Sequence, residues 1–75
     1  MARINAFTSK AIQRTSLHDE VEATFHAFER DGELFLQIDT YGREGRKLAG
    51  KVSQSIQLGK EGRKALQQIL NDLAD

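Results

Sequence analysis

Aromatic rings alternating with polar side chains, followed within a few residues by a cluster of cations, can hold an unstacked base and its phosphate. This chain has one such stretch. Phe35, Gln37, Asp39 and Tyr41 take every second position of Glu33–Tyr41, and Arg43, Arg46, Lys47 and Lys51 follow with Glu44 as the one acid among them. Bases stack on rings for about 1–3 kcal/mol each while cations track the phosphates. Successive side chains of a strand point to opposite faces. Leu34, Leu36 and Ile38 then form an aliphatic stripe that needs a core, and the other set, joined by Phe28, faces something flat, polar and partly apolar.

Each of these residues has a plainer reading. Phe28 and Phe35 suit a dimer core, or a small second core under the N-terminal segment, as well as they suit a base. Tyr41 suits a sheet edge closed by its hydroxyl. The four cations suit a solvated loop, the default for a charge run, and their position at the end of the aromatic face makes phosphate contact an equal reading. His18 and His26 with Glu20 and Glu22 do not make a metal site, because their spacing on a strand is uneven and no third strong ligand is near. No nucleophile has a matched histidine and orienting acid, and Gly42, Gly45 and Gly50 fit no phosphate-cradling pattern. The expectation is a non-enzyme with no cofactor and no metal.

The bounds agree. Seventy-five residues make one domain that buries only about 60% of its unfolded surface, and such domains often dimerise. Without cysteine there is no disulfide staple, and nothing points to export. No apolar run approaches the roughly 18 residues of a membrane span, and the start lacks a signal peptide's apolar segment, so a cytoplasmic protein with no membrane partner is expected. Formal charge is zero, so any nucleic-acid affinity must rest on a local patch. The charge is uneven: 18–33 carries six acids against Arg30 alone, whereas 43–51 carries four cations against Glu44 alone.

Taken in order, 1–16 is a basic N-terminal segment with Arg3, Lys10 and Arg14 and a candidate first strand, and 17–75 is the domain proper. A second strand is expected over 21–29, with Val21, Ala23, Phe25 and Ala27 inward. Asp31-Gly32 between two alternating runs supplies the positive dihedrals of a tight hairpin, which brings His26 and Phe28 beside Phe35 and Gln37. A glycine-rich cationic loop follows. A fourth strand over 51–58 places Val52, Ile56 and Leu58 with Gln54 on one face and Lys51, Ser53, Ser55 and Gln57 on the other. After Gly59 the period changes to 3.6, and Leu66, Ile69, Leu70 and Leu73 draw the stripe of an amphipathic helix over 60–75. Its first turn is weak, since Gly62 costs about 1 kcal/mol relative to alanine and Lys60, Arg63 and Lys64 oppose the dipole. One helix can hide one face of such a sheet, leaving the other open.

From 21 to 73, the hairpin turn, the strand Glu33–Tyr41, the glycine and basic loop, the short strand ending Ser55-Ile56-Gln57-Leu58 and the closing helix resemble the DNA-binding domain of the transcriptional coactivator family called positive cofactor four. The resemblance implies an α+β fold, a four-stranded curved antiparallel sheet followed by a C-terminal helix, and a homodimer that binds single-stranded or melted DNA on the sheet in transcription, replication or repair. Tyr41 matches the family's aromatic position near the end of the long strand, and Lys47 and Lys51 fall in its basic stretch. Asp31, Glu33 and Asp39 depart from it, standing where basic residues are usual, and Gly42 stands where a second aromatic is often found. The expected roles are stacking for Phe28, Phe35 and Tyr41, and phosphate contact for Arg43, Arg46, Lys47 and Lys51 with Lys10 and Arg14 contributing. Ser53, Ser55 and Gln57 are expected to hydrogen-bond backbone or base edges, and Leu66, Ile69, Leu70 and Leu73 to form core and dimer contact. The competing expectations are a dimeric protein-interaction module without nucleic-acid affinity and a regulator that reads duplex with a two-stranded ribbon.

Overall fold

The computed structural model describes residues 1–42 and 51–74. Its organising turn is Asp31-Gly32, with φ of 54° and 83°. Two central residues at positive φ make the mirror-image turn whose twist matches that of paired strands. Strand β2 (Ala23–Arg30) therefore runs antiparallel to β3 (Glu33–Tyr41), in unbroken register from Arg30 opposite Glu33 to Ala23 opposite Thr40. Strand β4 (Val52–Leu58) lies antiparallel along the other side of β3, Leu36 facing Leu58 and Ile38 facing Ile56. The register shifts at the Thr40/Tyr41 step, where Tyr41 faces Val52 and Ser53 is the extra residue. That bulge removes Val52 from the aliphatic row in which simple alternation puts it.

Strand β1 is only Ala2–Ile4, and it pairs with β4 in parallel, Ala2 opposite Ile56 and Ile4 opposite Leu58. The sheet order is β1-β4-β3-β2. The α+β architecture of four strands and a C-terminal helix is as expected, with the sheet mixed rather than wholly antiparallel. Parallel neighbours need a long connection, and residues 5–22, free of helix and strand, run from the β1 edge to the β2 edge. The first strand, expected as a candidate within 1–16, belongs to the same sheet as the rest.

Helix α1 (Lys60–Asp72) starts at Gly59, which has no side chain to cap it. Glu33 does so from the start of β3, its Oε2 accepting the Lys60 amide at 2.8 Å, and a carboxylate is favoured there by the exposed amides and by the helix dipole. The helix seats at Gly62, where a Cβ would run into the Ile4 carbonyl oxygen and come within 3.1 Å of Leu58 Cδ2. Leu58 is accordingly 2% exposed. Beyond this seat the expectation that the helix hides a whole face fails. Phe25, expected inward, is 77% exposed, and Leu34 (50%), Leu70 (54%) and Leu73 (70%) are also open to solvent. Only the first turns of the helix meet the sheet, so Leu66 is half-buried while Ile69, Leu70 and Leu73 lie outside the core of the single chain. None of the described helices is long and apolar enough to cross a membrane.

Candidate nucleic-acid interface

Cross-strand register builds the second face in rows. Phe28 stands opposite Phe35, and their rings stack with centroids 5.4 Å apart and planes 14° from parallel. His26 lies 5.9 Å from Phe28 at a tilt of 37°, and the Arg30 guanidinium carbon sits 5.9 Å from the Phe28 centroid, within reach of a cation–π attraction. Both phenylalanines are half-buried, so part of each ring meets solvent. Just past the end of β4 lies Gly59, where a Cβ would approach Phe35 Cε2 to 3.0 Å and collide with the Glu33 carboxylate. Glycine at that point leaves room for both the ring and the cap.

The next row crosses all four strands: His26 faces Gln37, Gln37 faces Gln57, and Gln57 faces Arg3. Beyond it stand Thr24, Asp39 and Ser55. Gln57 Nε2 donates to Gln37 Oε1 at 2.8 Å, Gln37 Nε2 donates to Asp39 Oδ1 at 2.9 Å, and Ser55 Oγ donates to the same oxygen at 2.5 Å. Asp39 and Ser55 are buried. A carboxylate taken out of water is tolerated when hydrogen bonds replace its hydration. The Ser55 hydroxyl, then the Gln37 amide, and lastly the nearby His26 hold the Asp39 carboxyl below its ordinary value of 3.8, outweighing the burial that pushes it up.

This has a consequence for acid stability. The unfolded chain binds the Asp39 proton at a higher pH than the folded chain does, so the contribution is complete above about pH 4 and is lost as pH falls through the lower folded value. We expect Asp39→Asn to flatten the acid limb. Between neutral pH and pH values below 4 its urea midpoint should fall less than that of the parent, as followed by circular dichroism. Parallel limbs for the two proteins would remove Asp39 from this role.

The structure separates the residues expected to form the site. Phe28 and Phe35 come together on one face, as the hairpin required. Tyr41 does not join them: it is 8% exposed, and its hydroxyl lies 3.1 Å from Thr24 Oγ1, so its ring closes the sheet and offers no face to a base. Ser55 is likewise buried and its hydroxyl is committed to Asp39. Ser53 is exposed at the bulge and Lys51 is exposed just before β4. Lys10 and Arg14 are exposed in the connection 5–22. Arg43, Arg46 and Lys47 lie outside the described residues.

No family model matches the chain. No curated protein and no solved structure matches it either. Among the described residues, no three His, Cys, Asp or Glu side chains gather as metal ligands. The residues that sequence reasoning did not assign to the site are Arg3, His26, Arg30 and Gln37. The alternating pattern carried Gln37, and the Asp31-Gly32 turn carried His26 and Arg30. Arg3 reaches the face only through a parallel pairing that has no local signature.

Proposed function

We propose that this chain binds single-stranded or unwound DNA across the face built by Phe28, Phe35 and the polar rows behind them. The observation that carries the reading is the stacked, half-exposed Phe28–Phe35 pair with Arg30 beside it. It lies on the sheet face opposite the one where the helix meets Leu58. A flat apolar surface edged by cations suits bases without regard to their order. Asp39 in the middle of the face repels phosphate, so the strand lies with its bases on the sheet and its backbone toward the rim. Arg3, Arg30 and Lys51 supply rim cations, and the sequence adds Arg43, Arg46 and Lys47.

The uncovered aliphatic side supports a homodimer. The single chain exposes 6835 Å², against about 4,600 Å² for a compact monomer of its mass, and its radius of gyration is 14.4 Å where about 11 Å is usual for this length. The exposed connection 5–22 accounts for part of the excess. Phe25, Leu34, Ile56, Leu70 and Leu73 are apolar side chains that a second copy would cover. The same surface is what favours the competing reading, a protein-interaction module with an incidental basic loop.

One titration separates the two. Labelled single strand and duplex of equal length are added to the protein at two salt concentrations, with the mass of the free protein measured by sedimentation. We expect a dimer that prefers the single strand, with affinity falling steeply as salt rises in proportion to the phosphates contacted. Absence of binding at the lower salt would leave the interaction module.

A further inference from the structure

The hydrogen-bonded ladder on the sheet has a direction. An ionised carboxylate accepts and cannot donate, so Asp39 obliges Gln37 to turn its amide nitrogen toward it. The Gln37 oxygen then faces Gln57, which must present its own nitrogen. Gln57 Oε1 is left as the open end of the ladder, an acceptor whose identity is fixed two residues away. Beside it, on the neighbouring strand, stands Arg3, a pure donor. Both line an open depression of about 410 Å³ together with Met1, Ala2, Gln37 and Ser55. That volume lies at the small end of the range for ligand pockets, about 300–1,000 Å³, and suits one nucleotide.

We propose that this depression takes the edge of a single unstacked oxo-base (guanine, thymine, uracil or hypoxanthine), whose ring N–H donates to Gln57 Oε1 and whose adjacent carbonyl accepts from the Arg3 guanidinium. The inference rests on the reading of the face as a single-strand platform and adds a base preference to it. An amino-base such as adenine or cytosine carries an exocyclic amine in place of the carbonyl and a bare ring nitrogen in place of the ring N–H, so in the same pose it sets donor against Arg3 and acceptor against Gln57 Oε1. The ring N–H of an oxo-base is the more acidic donor, and its carbonyl is the better partner for a cation. Stacking on Phe28 and Phe35 does not distinguish adenine from hypoxanthine, which share one ring system, so any preference between those two reports the edge.

The test compares a short all-adenine strand with the same strand carrying hypoxanthine at every third base, each titrated by fluorescence anisotropy into the full chain. The parent is expected to bind the hypoxanthine strand about five-fold or more tightly, the lower end of the discrimination given by a good paired contact. Gln57→Leu and, independently, Arg3→Met should bring the ratio close to one. Asp39→Asn should reduce it as well, because an amide at that position no longer fixes the ladder's direction. Equal affinity of the parent for both strands overturns the base preference and leaves the platform standing. A preference that survives in both Gln57→Leu and Arg3→Met overturns its assignment to this depression. If neither strand binds, the platform reading falls and the base preference falls with it.

Discussion

Phe35→Ala is expected to weaken binding of single-stranded DNA by about 5- to 150-fold, corresponding to the loss of about 1–3 kcal/mol for one stacked base. The expectation follows from the geometry more than from the residue type. Phe35 stacks on Phe28, and opposite it Gly59, having no side chain, leaves the ring room beside the Glu33 carboxylate. Removing it also strips Phe28 of its partner, so the alanine variant loses the platform as a unit. Circular dichroism and thermal unfolding establish whether the variant is folded, and Phe35→Tyr provides a second line, since tyrosine keeps a ring for stacking and should retain most of the affinity. A folded Phe35→Ala protein that binds as well as the parent would show that no base rests there.

The second large effect concerns stability and runs against helix propensity. Alanine for glycine inside a helix ordinarily stabilises by about 1 kcal/mol. At Gly62 we expect the opposite, a loss of about 1–3 kcal/mol, as is typical of overpacking. The Cβ would meet the backbone carbonyl of Ile4, which cannot rotate aside, and the methyl of Leu58 at 3.1 Å. Either β1 or the first turn of α1 has to move, and both rest on Leu58, the most buried of the large side chains among the described residues. For a domain of this size the melting temperature should fall by about 4–8 °C for each kcal/mol. A melting temperature equal to or above that of the parent would mean that the seat at Gly62 is looser than described.

Gly62 also shows where the sequence was legible and where it was not. Read locally, it is a weak spot in a helix, and its reason for being there appears only when β1 is placed beside β4. Local signals did well where two residues decide the matter. Asp31-Gly32 fixed the hairpin, Glu33–Tyr41 carried its own period, and Gly59 marked the change from strand to helix. They did poorly where distant segments meet. Three residues, Ala2–Ile4, are too few to show alternation, and parallel pairing leaves no mark in either strand. The bulge at Ser53 moved Val52 out of its expected row. Alternation placed Gln37, Asp39, Ser55 and Gln57 on one side of the sheet but could not show that they join into a single directed ladder. It also could not tell that Tyr41 lies inside and Phe25 outside, because burial depends on how far the helix reaches.

The Glu33 cap ties two steps of assembly together. A hairpin closed one residue out of step turns every side chain to the opposite side. Glu33 would then be carried away from the Lys60 amide, and Phe35 would be parted from Phe28 in the same slip. The wrong pairing thus forfeits a helix start and an aromatic contact at once, so a carboxylate at the turn acts as a proofreader for the alignment of strands whose own backbone bonds would tolerate the error.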